Sequence, residues 1–380
     1  MPPADDDELR RNRRPAFETG TPAVRVADLF CGCGGLTLGL AQAAQTAGVA
    51  VEVALAVDAD SDAAAAYASN FPEANVLTGG VEDIFDGALG GKTLTEAERV
   101  IAKEIGAVHA LIGGPPCQGH SDLNNHTRRA DPKNAFYALM ARAAAVLGPR
   151  VVLIENVPSV RHDKGGVVAA VVNELQSLGY RTAEAVLDLH RLGIAQRRRR
   201  HVLLASRLDA DPAVVLKTVA AHDAGEADLR SAIGDLAGIT EGAGLDQAPR
   251  ASVENRRRMQ WLIDNNAHDL PNKERPTCHQ DDHSYKSMYG RLKWSEPAQT
   301  ITSGYGSIGQ GRYMHPELAR ALTPHEAARL QGLPDYFSFG ETTKRAVLAT
   351  MIGNAVPPAL SRHVFAELLP ALVVEDEAAA

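Results

Sequence analysis

The sequence predicts an α/β protein: a doubly wound, largely parallel, Rossmann-like sheet joined to a smaller, irregular second domain. Three observations carry this. Short apolar runs alternate with longer helical stretches from about residue 23 to 205, the pattern of strands and crossover helices. A glycine-rich turn separates the first run from the first helical stretch, at residues 32–35. The alternation then stops near Arg207 and gives way to a polar stretch rich in Gly, Asn, His and Asp.

Taken in order, residues 24–30 read as a strand, 36–44 as a helix, 51–57 as a strand and 60–70 as an Ala-rich helix. Residues 109–112, 151–154 and 201–205 are further short buried strands, with helices near 135–147 and 167–178 between them. In such sheets ligands bind beyond the carboxyl ends of the strands, so each loop leaving such an end is a candidate site. Thr323 begins a helix as N-cap, with Pro324 at its first position and Glu326 at its third, the signature of a capping box. A final helix follows Val356-Pro357-Pro358. The chain therefore divides into a solvated tail at 1–20, a catalytic domain at 21–205, a smaller domain at 206–318, and a return to the first domain at 319–380.

The 380 residues carry a net charge of −8, with 23% charged and 45% hydrophobic residues. That excludes a polybasic protein whose whole surface meets phosphate, yet leaves room for a basic face. Residues 181–210 have a net charge of +4 and 211–250 one of −4. Positive charge thus gathers at Gln196 to Arg200, where the two domains join, with a second cluster at Arg256, Arg257 and Arg258. Four arginines directly before a buried strand fit phosphate or site binding better than a solvated face. The four cysteines are too few for a disulfide framework and point to a reducing compartment. The start lacks the apolar run of a signal peptide, and no window approaches 18 uninterrupted apolar residues. The expected location is the cytoplasm, with nucleoid association in a prokaryote, and no membrane partner.

Three loops carry chemistry. Asp-Leu-Phe-Cys-Gly-Cys-Gly-Gly-Leu at 28–36 sets Gly32, Gly34 and Gly35 between strand and helix, where they let a nucleotide-like ligand approach backbone amides or simply form a tight turn. Asp58 ends the next strand at the spacing that grips ribose hydroxyls. Cys31 and Cys33 lack the second Cys or His pair that a zinc site needs, so no metal is expected. After the strand ending at Ile112, two consecutive prolines fix a rigid loop that holds Cys117 at the carboxyl edge of the sheet. Cys117 is then either a small buried hydrophobe or a nucleophile. Glu155 ends a third strand, where a carboxylate makes a poor core residue.

These pieces together resemble the DNA (cytosine-5)-methyltransferase family. The matching segments are 28–35, Gly114 to Gln118, Glu155-Asn156-Val157, Gln196-x-Arg198-x-Arg200, 320–331 and Gly353 to Pro357, in the family's order. The resemblance implies methyl transfer from S-adenosylmethionine to carbon 5 of a cytosine flipped out of double-stranded DNA. It implies Cys117 as the nucleophile at carbon 6, Glu155 on the ring's N3 and amino group, Asn156 orienting the loop, and Arg198 and Arg200 bracing the base. It further implies cofactor contacts from Phe30, Gly32, Cys33, Gly35, Asp58, Ala59, Val81, Gly114, Pro116, Asn354 and Val356. Ser121, Gln196, Thr302 and Arg312 are the expected DNA contacts, with Thr300 and Tyr313 as alternatives, and Trp261 and Trp294 are expected in the small domain's core.

Two positions depart from the family pattern. Gly80 stands where an Asp is usual, so Asp83 would have to reach the adenine from a shifted turn, and His120 stands where Phe is usual. The resemblance also admits a companion restriction endonuclease and a monomeric enzyme. Two other functions share the fold: methylation of tRNA, and a cofactor-gated DNA-binding protein without catalysis. Amino methyltransferases need no thiol, and Gly114-Pro115-Pro116-Cys117 speaks against them.

Overall fold

The computed structural model describes residues 8–15, 23–116, 136–163, 165–225, 227–239, 242–280 and 287–379. Its elements, in chain order, are β1 (Ala23–Leu29), α1 (Gly35–Ala47), β2 (Ala50–Asp58), α2 (Ser61–Asn70), β3 (Val76–Thr78), α3 (Val81–Ile84), α4 (Glu96–Ile105) and β4 (Ala110–Gly113). They continue with α5 (Phe136–Leu147), β5 (Val151–Asn156), α6 (Val167–Ser177), β6 (Arg181–Asp188), β7 (Gln196–Arg197), β8 (Arg199–Ser206), α7 (Pro212–Ala221) and α8 (Leu229–Ile233). The last are α9 (Val253–Asp264), β9 (Ala298–Gln299), α10 (Pro324–Leu330), α11 (Arg345–Asn354) and α12 (Pro358–Ala379).

Seven strands form one sheet in the order β3-β2-β1-β4-β5-β8-β6. All neighbours are parallel except β8, which runs antiparallel to both β5 and β6. The chain winds outward from β1 through β2 to β3, then returns to β4 and winds the other way, so the topological switch point lies between β1 and β4. β4 and β5 are buried at every residue, as the unbroken apolar runs of central parallel strands require.

Each face of the sheet is covered by its own apolar layer. One contains Leu29, Leu111, Ile154, Met140 and Phe85; the other contains Leu36, Leu40, Leu153, Leu204 and Phe365. α12 lies along α1, and the fit is close: the Ser361 hydroxyl donates to the Leu36 carbonyl at 2.6 Å. The chain's last helix thus closes the first domain. The capping box at α10 is present, with Glu326 N–H donating to Thr323 Oγ1 at 3.1 Å and Thr323 N–H to Glu326 Oε2 at 2.8 Å.

The packing differs from the sequence reading in two places. Residues 8–15, expected in a solvated tail, are tied to the body: Asp335 N–H donates to the Leu9 carbonyl at 2.9 Å, and Arg10 to the Ser231 carbonyl at 2.6 Å. The expected boundary at 206 also does not mark a change of core. α7 and α8 place Val215, Leu216, Leu229 and Ile233 in the main core, and a separate small cluster holds Met259, Leu262, Leu270, Tyr289, Ile308 and Met314. Trp261 packs at the margin of that small cluster, whereas Trp294 packs on the main core. Among the described residues no helix is long and apolar enough to cross a membrane, and no group of three or more His, Cys, Asp or Glu could hold a metal.

Candidate active site

Register brings three loops to one edge. Leu29 pairs with Gly113, and Gly113 with Ile154, so Phe30, Gly114 and Glu155 leave neighbouring strands side by side at the switch point. The first loop turns through left-handed backbone at Phe30 (φ 55°), Gly32 (φ 53°) and Gly34 (φ 100°), then enters α1 with no side-chain cap. Free helix-start amides of this kind suit an anionic or polar ligand. Gly35 has no room for a side chain, because a Cβ there would collide with the Val356 carbonyl. The glycine loop and the Val356 segment are therefore in backbone contact, although they lie more than three hundred residues apart.

Asp58 tethers this loop. Its carboxylate accepts from Gly32 N–H at 2.8 Å and from Asp60 N–H at 2.9 Å. Burial raises the Asp58 pKa, and the two amide hydrogen bonds oppose that rise. Below the loop, Asp28 is fully buried and accepts from the Thr37 hydroxyl at 2.7 Å, and burial pushes its carboxyl up to about 8. Cys31 and Cys33 are buried free thiols whose pKa burial raises. The Cys33 side chain is core, so any contact it makes with a ligand runs through its backbone. Phe30 stacks on Phe136 with centroids 5.8 Å apart. Ala59 is exposed and Val81 is buried in the core. At Gly80 the space a side chain would take is already filled: Asp83 Oδ2 lies 2.8 Å from the Cβ position.

The Pro-Pro loop is described as far as Pro116; Cys117, His120 and Ser121 lie outside the described residues. Asn156 holds the loop, its Nδ2 donating to the Pro115 carbonyl at 3.2 Å while its Oδ1 accepts from Val157 N–H at 2.8 Å. Glu155 Oε2 stands 3.2 Å from where a Cβ on Gly114 would be, and Val356 Cγ2 stands 3.5 Å from the same point. Any larger residue at 114 would push into the space between them.

The arginine run divides its work. Glu155 pairs with Val202 across the β5–β8 ladder, which makes Arg200 its diagonal neighbour on the same face. Arg200 Nε lies 2.5 Å from Glu155 Oε1, with side-chain exposures of only 12% and 8%. Arg198 occupies the residue between β7 and β8, where the strand is broken, and points elsewhere. Its guanidinium donates to the carbonyls of Ile301 at 2.9 Å and Ala355 at 3.2 Å. Arg198 thus ties the 301 segment to the turn after α11, whereas Arg200 pairs with Glu155.

Two of the expected DNA contacts, Gln196 and Arg312, are engaged by other protein groups. Gln196 is fully buried; its Nε2 donates to the Leu330 carbonyl at 2.8 Å and its Oε1 accepts from Ile301 N–H at 2.8 Å. Arg312 Nη2 pairs with Asp269 at 2.5 Å and Nη1 donates to the His268 carbonyl at 2.9 Å. Gln196 has no exposed surface, and the partly exposed Arg312 is engaged by His268 and Asp269. Thr302 Oγ1 lies 3.0 Å from the Tyr313 hydroxyl, and Thr300 donates to the Arg197 carbonyl at 2.7 Å. A second glycine-rich segment, residues 303–313, exposes Ser303 and Gln310. Asn354 is exposed, and Val356 is half-buried beside Gly35.

Residues 24–369 match the family model described as C-5 cytosine-specific DNA methylase. The chain is 42% identical over 358 residues to Type II methyltransferase M1.BsuMI of Bacillus subtilis, covering 94% of this chain and 83% of that one. It is 32% identical over 360 residues to Type II methylase M.HgiDII of Herpetosiphon aurantiacus, covering 89% and 93%. Among solved structures it resembles the Dnmt2 methyltransferase of S. pombe, with a TM-score of 0.61 and 17% identity over 93% of this chain and 99% of that one. That likeness concerns the fold alone.

Proposed function

The chain belongs to the C-5 cytosine-specific DNA methylase family, and from that premise we propose that it methylates carbon 5 of a cytosine flipped out of double-stranded DNA, through a covalent adduct on Cys117. The observation that carries this reading is the Arg200–Glu155 pair, held beside Gly114 at the carboxyl edge of the sheet.

Carbon 5 of cytosine is too weak a nucleophile to attack a methyl sulfonium unaided. Cys117 adds as thiolate to carbon 6, which turns the ring into an enamine with its electron density at carbon 5. Glu155 accepts from the exocyclic amino group and, as the protonated acid, gives a proton to N3, which neutralises the negative charge that thiolate addition puts on the ring. Arg200 fixes the Glu155 carboxylate, Asn156 fixes the Pro115–Pro116 loop that delivers Cys117, and Arg198 holds the 301 and 355 segments around the cleft. After transfer, loss of the carbon 5 proton and departure of the thiolate restore the aromatic ring.

S-adenosylmethionine, when bound, supplies the electrophilic methyl group. The residues present fit it. The left-handed turn at Gly32 and Gly34 exposes amides at the start of α1, Gly35 leaves no side chain between the loop and Val356, and Asp58 stands at the end of β2. Phe30 offers a ring for adenine, and Asp83, whose carboxylate fills the space beside Gly80, takes the adenine amino group. Ala59, Pro116, Asn354 and the backbone of the buried Val81 complete this cleft. Thr302 and the exposed Ser303 and Gln310 face DNA, with Ser121 on phosphate. A companion restriction endonuclease reading the same sequence completes the proposal, in keeping with the Type II methyltransferases the chain resembles.

Duplex DNA carrying 5-fluorocytosine tests the covalent step, because fluorine at carbon 5 cannot leave as a proton does. In the presence of S-adenosylmethionine, the wild-type chain should form a complex that survives denaturing electrophoresis, and Cys117→Ser should not. A Cys117→Ser variant that still forms the complex would overturn the assignment.

A further inference from the structure

Away from the cleft, residues Glu8 to Arg14 form a strap that runs from the body of the protein to the Phe71 ring. One end is anchored on the body: Asp335 N–H donates to the Leu9 carbonyl at 2.9 Å, Arg10 pairs with Asp235 at 3.1 Å, and Glu8 lies 3.4 Å from Arg362. At the other end the Arg14 guanidinium carbon stands 5.3 Å from the centroid of the Phe71 ring, a cation–π distance.

Phe71 is part of the wall on which the glycine loop rests. Its ring lies 4.9 Å from that of Tyr67. A Cβ on Gly34 would stand 2.7 Å from Phe71 Cε2 and 3.1 Å from Tyr67 Cδ2, so both rings press directly on the loop backbone at its left-handed turn. The Tyr67 hydroxyl lies 2.7 Å from Thr37 Oγ1, which donates to Asp28 beneath the loop. Loop, rings and strap are three successive layers.

We propose that the 8–14 strap is a positioning element for the methyl-donor site: Arg14, seated on Phe71, keeps the Phe71–Tyr67 pair against Gly34 and so fixes the amides of the glycine loop. This rests on the donor-site reading above. It assigns a role in cofactor affinity to a segment that touches no substrate, and it places that role on the donor side of the cleft alone.

The test compares the full chain with Arg14→Ala, Arg14→Lys and a variant lacking residues 2–15, each first checked for folding by circular dichroism. The dissociation constant for S-adenosylhomocysteine is measured by calorimetry, and KM is measured separately for S-adenosylmethionine and DNA. Arg14→Ala should weaken cofactor binding roughly two- to fivefold, the deletion should weaken it further, and KM for DNA should not move. Arg14→Lys, which keeps a cation over the ring, should recover most of the loss. Folded Arg14→Ala and deletion variants that bind the cofactor as the wild type does would overturn the strap alone, and so would equal losses for cofactor and DNA. Should the deletion fail to fold, the two Arg14 variants decide. A wild-type chain that binds neither cofactor form would overturn the donor-site reading, and the strap with it.

Discussion

Gly353 packs directly on the backbone of Ser303, so closely that a Cβ at 353 would collide with the Ser303 amide nitrogen. The end of α11 and the glycine-rich segment 303–313 are therefore one rigid junction. Arg198 reinforces it by donating to the carbonyls of Ile301 and Ala355, and Gln331 adds a hydrogen bond to the Ile352 carbonyl at 2.6 Å. Through this junction the segment that would read DNA is fixed to the segment that lines the cofactor loop.

Gly353→Ala should force the two backbones apart. Overpacking of this kind costs about 1–3 kcal/mol, and here the neighbour is backbone and cannot rotate away. Thermal denaturation should show a lower Tm, and the surviving folded enzyme should have a raised KM for DNA. An unchanged Tm and KM would mean that the junction is looser than the structure describes.

Arg200→Ala should strand the Glu155 carboxylate in a site where both side chains are almost wholly buried. Breaking a buried pair by removing one partner costs about 3–5 kcal/mol, so stability and turnover should fall together. Glu155→Gln is the cleaner probe of chemistry. It keeps the shape, and loss of one such stabilising group typically lowers kcat about 10²- to 10³-fold. Steady-state kinetics on duplex DNA, with folding checked in parallel, separates the two effects.

Asp28 makes stability depend on pH in a defined sense. Burial lifts its carboxyl to about 8, against the opposing hydrogen bond from Thr37, while an unfolded Asp titrates near about 3.9. The folded pKa is raised, so the contribution of this group is fully present below about pH 4 and is lost as pH rises towards 8. Asp28→Asn removes that slope while keeping an acceptor for Thr37. The Tm of the variant relative to the wild type should therefore improve between pH 5 and pH 8, and a difference that stays constant would refute the assignment.

The central sheet was legible because β1, β2, β4 and β5 are buried apolar runs. β6 was not: as an edge strand it reads Arg-Thr-Ala-Glu-Ala-Val-Leu-Asp, with one fully buried position. α7 was missed although Asp211 caps it and Pro212 opens it, the same kind of signal that identified α10. The placement of Glu155, Asn156 and the glycine turn was legible because the first two end a buried strand and the turn follows one, all at the sheet's carboxyl edge. The division between Arg198 and Arg200 was not. A period of two predicts that they share a face, but the chain breaks between β7 and β8 at Arg198, and the alternation fails there. The partners of Arg312 were not legible for another reason: His268 and Asp269 lie more than forty positions away, and only the folded chain brings them together.

Methylation of duplex DNA decides whether Cys117 drives cytosine-5 transfer. The purified chain is incubated with S-adenosylmethionine and a duplex DNA of diverse sequence, and the product is mapped by bisulfite sequencing. 5-Methylcytosine should appear at one recurring short sequence and be absent with Cys117→Ser. No 5-methylcytosine on any sequence, or methylation that survives loss of the Cys117 thiol, would rule out cytosine-5 methylation through Cys117.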